Sequence, residues 1–164
     1  MIILGIDPGY DRLGVAIVEK IGSKEVLLFS DCLKTKAKDE FVLRLFYLTK
    51  EVEKIIKRFK PTVLAIEKLF FTTNQKTAMG VSEVKGAISF VAAKNNLTVL
   101  EITPLQVKSS LVGYGKADKT QVATMVEKIL KLEKKKRYDD EYDAIALAIT
   151  GGVLYKNKEF LMPA

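Results

Sequence analysis

The run Ile2-Ile3-Leu4-Gly5-Ile6-Asp7-Pro8-Gly9 constrains the chain more than any other. A short apolar block of this kind reads as a buried strand. Pro8-Gly9 ends it, because proline presets φ and glycine permits the positive φ of a turn. Asp7 therefore stands at a strand end, aimed at whatever lies above the sheet. Two later stretches repeat the arrangement: Thr62-Val63-Leu64-Ala65-Ile66 runs straight into Glu67, and Asp140 and Asp143 open the apolar segment Ala144-Ile145-Ala146-Leu147-Ala148-Ile149. A helix packed flush on the sheet would bring all four carboxylates to one rim.

The intervening sequence supplies such a sheet. Leu13 to Lys20 and Glu25 to Leu33 read as two further strands, and the short Gly22-Ser23 connection favours an antiparallel hairpin. From Glu40 to Phe59 the period becomes helical, with Phe41, Leu45, Leu48, Val52, Ile55 and Phe59 on one stripe, and Lys60-Pro61 stops it. Thr62 to Ile66 follows at once, so helix and strand form a crossover onto a parallel neighbour, right-handed by strong precedent. Thr77 to Asn95 is helical despite Gly80 and Gly86. Leu97 to Ile102 is a fifth strand, Pro104 to Leu111 a short helix and Asp118 to Leu132 another. The last helix starts at Asp139 or Asp140 and reaches Gly151-Gly152 or just past it. This order predicts an α/β fold with a five-stranded mixed sheet flanked by helices on both faces. A length of 164 residues suits a single domain over 1–164.

Composition matters most through what it omits. The chain has no histidine and one cysteine, Cys32. That removes Ser-His-Asp and Cys-His catalysis, imidazole acid–base chemistry, His-ligated zinc, any internal disulfide and a sulfur-based metal site. Carboxylates, lysines, hydroxyls or hard metal ions must carry any reaction. Taken singly, each acid has an ordinary explanation as a turn residue, a solvated strand end or a helix cap. Asp140 and Asp143, three apart, share one helix face. Four ionised carboxylates in one pocket repel, and one is pushed toward its neutral form unless cations intervene. Oxygen-only ligands favour Mg²⁺ or Mn²⁺ over zinc. Two such ions about 3.5–4 Å apart form the clamp used for phosphodiester hydrolysis.

The net charge of +7, from 27 Lys and Arg against 20 Asp and Glu, attracts polyanions, of which nucleic acid is the usual one. By itself a solvated basic face explains it equally well. No leader pattern is visible and no apolar run approaches the ~20 residues of a membrane span, so the reading is a cytoplasmic protein without a membrane partner.

The motifs Gly5-Ile6-Asp7-Pro8-Gly9, Ala65-Ile66-Glu67 with Phe70, Gln106-Val107-Lys108, Lys119 within Ala117-Asp118-Lys119-Thr120-Gln121-Val122, and Asp140-x-x-Asp143-Ala144-x-Ala146-x-Ala148 occur in a telling order. In that order and at those intervals they resemble the RuvC family of Holliday junction resolvases, from about Ile2 to Thr150. The resemblance implies a ribonuclease H-like fold and a homodimer. It also implies metal-dependent paired nicking of four-way junction DNA, leaving 5′-phosphate and 3′-hydroxyl ends, in recombination and repair. It makes Asp7, Glu67, Asp140 and Asp143 the catalytic, metal-binding acids, with Mg²⁺ as the ion and Mn²⁺ as a substitute. Lys108 and Lys119 become DNA contacts, Phe70 an aromatic at the junction centre, and a branch-migration complex a partner.

Some relatives carry histidine in place of Asp140; this chain does not. Other departures are Tyr10, Lys68 and Glu141-Tyr142, the last pair standing where small residues are common. Read from the residues alone, Phe70 and Phe71 lie in a polar loop beside Lys68 and can stack on unpaired bases, worth about 1–3 kcal/mol each. Phe71 is the better candidate to anchor that loop. Lys116 and the run Lys134 to Arg137 read as a solvated face or as phosphate contacts. The competing readings are a ribonuclease H-like nuclease acting on RNA or RNA-DNA hybrid, a catalytically silent junction-binding module, and an actin-like phosphotransferase, for which the chain is too short to hold two lobes.

Overall fold

Period-two alternation along the strands sorts the apolar residues into two cores, one on each face of the sheet. The computed structural model describes residues 1–69, 75–132 and 137–159. Its elements are β1 (Ile2–Pro8), β2 (Arg12–Ile21), β3 (Lys24–Lys34), α1 (Phe41–Phe59), β4 (Val63–Glu67), α2 (Gln75–Lys94), β5 (Thr98–Ile102), α3 (Pro104–Val112), α4 (Lys119–Leu130) and α5 (Asp139–Glu159). The sheet runs β3-β2-β1-β4-β5. β2 is antiparallel to both β1 and β3, whereas β1, β4 and β5 are mutually parallel. This is the mixed sheet that the sequence predicts, with α1 as the crossover between β3 and β4.

On one face Leu4, Ile6, Val15, Ile17, Leu64 and Ile66 pack against Leu48, Val52 and Ile56 of α1 and Val84, Ile88 and Ala92 of α2. On the other, Ile3, Ala16, Val18, Val63, Ala65 and Ile102 meet Leu111 of α3, Val122 and Val126 of α4, and Ala144 to Ile149 of α5. α5 is buried without a break from Ala144 to Gly152, and small residues let its backbone come down onto the strands. A Cβ on Gly5 would overlap the carbonyl oxygen of Ala144, and one on Gly14 would overlap that of Asp140. Glycine in a strand marks this kind of close backbone approach.

The end of α5 departs from expectation. The helix runs through Gly151 and Gly152 to Glu159. A terminating glycine would adopt positive φ, and among the described glycines only Gly22 and Gly113 do. A Cβ on Gly151 would sit 2.6 Å from the Ala65 Cβ, and one on Gly152 would lie 3.4 Å from Ile3 Cδ1. The pair therefore serves packing and does not cap the helix.

Two glycine substitutions separate close approach from mere flexibility. Gly14→Ala is expected to lower the unfolding free energy by about 1–3 kcal/mol, since the new methyl meets backbone that cannot step aside. At Gly86, inside α2, a Cβ meets nothing within 4 Å, so Gly86→Ala is expected to raise stability by about 0.5–1 kcal/mol. Urea midpoints at constant m-value check both.

Candidate active site

Strand parity decides where the acids point. Asp7 alternates with Gly5 and Ile3 and so faces α5; Glu67 does the same after Ala65 and Val63. The parallel register pairs Gly5 with Ala65 and Ile6 with Ile66, so Asp7 and Glu67 follow side by side at the ends of adjacent strands. On its other flank Asp7 pairs with Gly14, the residue against which the Asp140 backbone rests. The first turn of α5 is thereby set down beside Asp7, and Asp143 follows one turn along.

The electrostatics record that convergence. Burial, then the charges of Asp143, Glu67 and Asp140, push the Asp7 carboxyl up to about 8, with Lys119 opposing. Glu67 is also raised, by burial and by Asp143; a hydrogen bond with Asp7 and the charges of Lys119 and Lys85 offset part of this. Four acids distant along the chain act on one another here. The first turn of α5 holds Asp139, Asp140 and Glu141, at the helix end where acidic side chains are favoured.

Cations stand beside both α5 acids. Lys119 Nζ donates a hydrogen bond to Asp143 Oδ2 at 3.1 Å, and Arg12 Nη1 lies 3.8 Å from Asp140 Oδ2. Lys119 is the first residue of α4, an electrostatically poor place for an ammonium. A capping box holds it there: Gln121 N donates to Asp118 Oδ1 at 2.8 Å, and Asp118 N donates to Gln121 Oε1 at 2.9 Å. Asp143 then raises the Lys119 pKa. The Cys32 Sγ lies 3.8 Å from Asp140 Oδ2, and burial followed by that carboxylate pushes the thiol up to about 11, which keeps it protonated and unreactive.

The other residues singled out by sequence fare differently. Lys108 is half-buried on α3 and, among the described residues, forms no ion pair. Phe70, Phe71 and Lys134 to Lys136 lie outside the described residues. Arg137 does not join a solvated or phosphate-contacting run: its side chain is only 10% exposed, with Nε 3.3 Å from Glu141 Oε1. Burial of Glu141 is the physical reason, since that carboxylate needs a partner inside.

Glu141 itself was legible only as a departure where small residues are common. Ser30 Oγ donates to Glu141 Oε1 at 2.6 Å, and Tyr142 Oη donates to Glu127 Oε1 at 2.6 Å. These bonds tie the α5 turn between Asp140 and Asp143 to β3 and α4. The i, i+4 spacing of Arg137 and Glu141 was the available signal. Among the described residues no three acidic or sulfur groups close on a common point. The oxygen-only donor set nevertheless fits a hard divalent ion, because such an ion would displace the proton that crowding keeps on Asp7.

Residues 3–151 match the family model described as Crossover junction endodeoxyribonuclease RuvC. The chain belongs to the RuvC family. The crossover junction endodeoxyribonuclease RuvC of Ruminiclostridium cellulolyticum is 45% identical over 152 residues, covering 93% of this chain and 92% of that one. That of Natranaerobius thermophilus is 41% identical over 156 residues, covering 95% and 97%. Among solved structures, Thermus thermophilus RuvC in complex with Holliday junction substrate superposes with a TM-score of 0.91 at 33% identity, covering 96% of each chain. The fold is thus ribonuclease H-like, and the resemblance read from the motifs is correct. Among the described residues no helix is long and apolar enough to cross a membrane.

The raised Asp7 makes stability depend on pH. An unfolded aspartate titrates near 3.8 and the folded one near 8, so between those values the folded state binds more protons and loses stability as pH rises. With divalent ions chelated, Asp7→Asn is expected to melt roughly 5 °C above the wild type at pH 8.5, about 2 kcal/mol at this chain length. The gap is expected to shrink at pH 5 and to narrow again on adding Mg²⁺ at pH 8.5. Differential scanning fluorimetry across pH checks each point.

Proposed function

We propose that this chain is a structure-selective endonuclease that resolves four-way DNA junctions. It hydrolyses paired phosphodiesters in like strands to 5′-phosphate and 3′-hydroxyl ends, in recombination and repair. The observation that carries the reading is the mutual crowding of Asp7, Glu67, Asp140 and Asp143 in a member of a family of crossover junction endodeoxyribonucleases.

In this reading the four acids would hold two divalent ions, Mg²⁺ with Mn²⁺ as a substitute, which when bound would supply Lewis acidity and lower the pKa of the attacking water. Asp7 would act there as an ionised carboxylate. Lys119, relieved of its pairing with Asp143, turns its ammonium to the phosphate. Lys108 adds a backbone contact, and Phe70 stacks on a base at the junction centre. The whole chain acts as one domain.

A junction has approximate two-fold symmetry, so a homodimer presents two such sites to symmetric strands. The exposed strip Val42, Leu43, Phe46 and Tyr47, on one face of α1, is the kind of surface that a second copy would cover. The compartment is the cytoplasm, and a branch-migration complex is the expected partner.

The test offers a synthetic four-way junction, a linear duplex and an RNA-DNA hybrid in parallel with Mg²⁺. Paired nicks confined to the junction are expected; preferential cutting of the hybrid would favour the ribonuclease H-like alternative instead. Asp7→Asn and Asp143→Asn are expected to slow cleavage at least roughly 100-fold, more than the loss of an outer-shell partner of a metal ligand costs, while junction binding persists. Lys119→Ala is expected to lower the slope of log affinity against log salt by about 1, read by anisotropy titrations.

A further inference from the structure

Two cations face each other across the edge of the sheet. Arg12 on β2 and Lys34 on β3 are register partners, and like charges directly opposite in an antiparallel pair cost stability. The next pair facing the same way is Gly14 and Cys32, which lie against the Asp140 backbone and beside its carboxylate. Alternation therefore places Arg12 and Lys34 on the face that carries α5 and the acids.

Tyr138, just before α5, stands among them. Lys34 Nζ donates to Tyr138 Oη at 2.6 Å and sits 3.8 Å from the ring centre, while the Arg12 guanidinium is 5.8 Å from that ring. All three are open to solvent, Arg12 by 54% and Tyr138 by 47%. The only carboxylate within ion-pair reach of either cation, among the described residues, is Asp140, held loosely at 3.8 Å. Of the other acids in the first turn of α5, Glu141 is taken by Ser30 and Arg137, and Asp139 acts on Lys119. Two adjacent cations under-supplied with anions, pre-set by an aromatic ring at the edge of a hydrolytic pocket, match a phosphodiester backbone.

We propose that Arg12, Lys34 and Tyr138 form a phosphate clamp that grips the nucleic-acid strand a nucleotide or two from the bond being cut, on the Asp140 side. Lys119 serves the Asp143 side, so the strand crosses the acids between two cationic arms. Arg12 offers a planar fork to two phosphate oxygens and Lys34 a point charge. Tyr138 positions both, lowering the entropy lost when they engage. The clamp reads backbone and not base sequence. It rests on the junction-cleaving reading for the identity of the strand, and its test is arranged to stand apart from that reading.

The experiment measures fluorescence anisotropy in chelator with two probes, a labelled four-way junction and a labelled single-stranded DNA. It compares Asp7→Asn protein with the same protein carrying Arg12→Ala and Lys34→Ala. The double change is expected to weaken binding of both probes at least tenfold at about 0.1 M salt and to lower the salt slope by about 2. Arg12→Lys with Lys34→Arg is expected to restore the slope, and Tyr138→Phe to lose about threefold in affinity through the missing hydroxyl. Unchanged affinity and slope in a variant with wild-type melting overturn the clamp. So does weaker binding with an unchanged slope, because phosphate contacts would then not be what was lost. Should the wild type fail to nick any junction while the clamp variants still lose affinity and slope, the junction reading falls and the clamp stands.

Discussion

The absence of side chains at Gly5 and Gly14 sets the height of the helix that carries half of the acids. Because a Cβ at either position would collide with the α5 backbone, the helix lies directly on β1 and β2. Its first turn comes down beside the strand ends that hold Asp7 and Glu67. Depth follows from that contact, and so does charge. Burial and the charges of Asp143, Glu67 and Asp140 push the Asp7 carboxyl up to about 8, a concentration of negative charge reached without any histidine or thiolate.

The surroundings answer that crowding in two ways. Lys119 and Arg12 stand beside the α5 acids from opposite parts of the chain, one brought by a capping box at the start of α4 and the other by β2. Farther in, Glu141 is held by Ser30 and Arg137, and Tyr142 reaches Glu127. The helix turn between the two acids is thus tied on both sides. An acidic centre inside a chain of net charge +7 fits the proposed division of labour, in which carboxylates hold ions and the basic surround meets phosphates.

Much of this was legible before any coordinates. Alternation and turn chemistry located five strands along the chain, though not their order across the sheet, and the four acids could be chosen because each sits at a strand end or helix start, where parity and the 3.6-residue period fix direction. Gly151-Gly152 misled because the same residue type that ends a helix also lets one pack closely, and only the neighbours Ala65 and Ile3 tell the two apart. Arg137 misled for a related reason: four basic residues in a row look solvated until a buried Glu141 claims one. The pairing of Arg12 with Lys34 and Tyr138 joins three separate segments, so only strand register reveals it.

The proposed cleavage requires Asp7, Glu67, Asp140 and Asp143 to share one pocket that binds divalent ions. The most direct measurement is the anomalous scattering of crystals soaked in Mn²⁺. Density is expected within about 2.5 Å of a carboxylate oxygen of Asp7 and of at least one of Glu67, Asp140 and Asp143, absent from Asp7→Asn crystals treated alike. Manganese bound elsewhere while these four side chains stay empty, or undiminished density in the Asp7→Asn crystals, would contradict it.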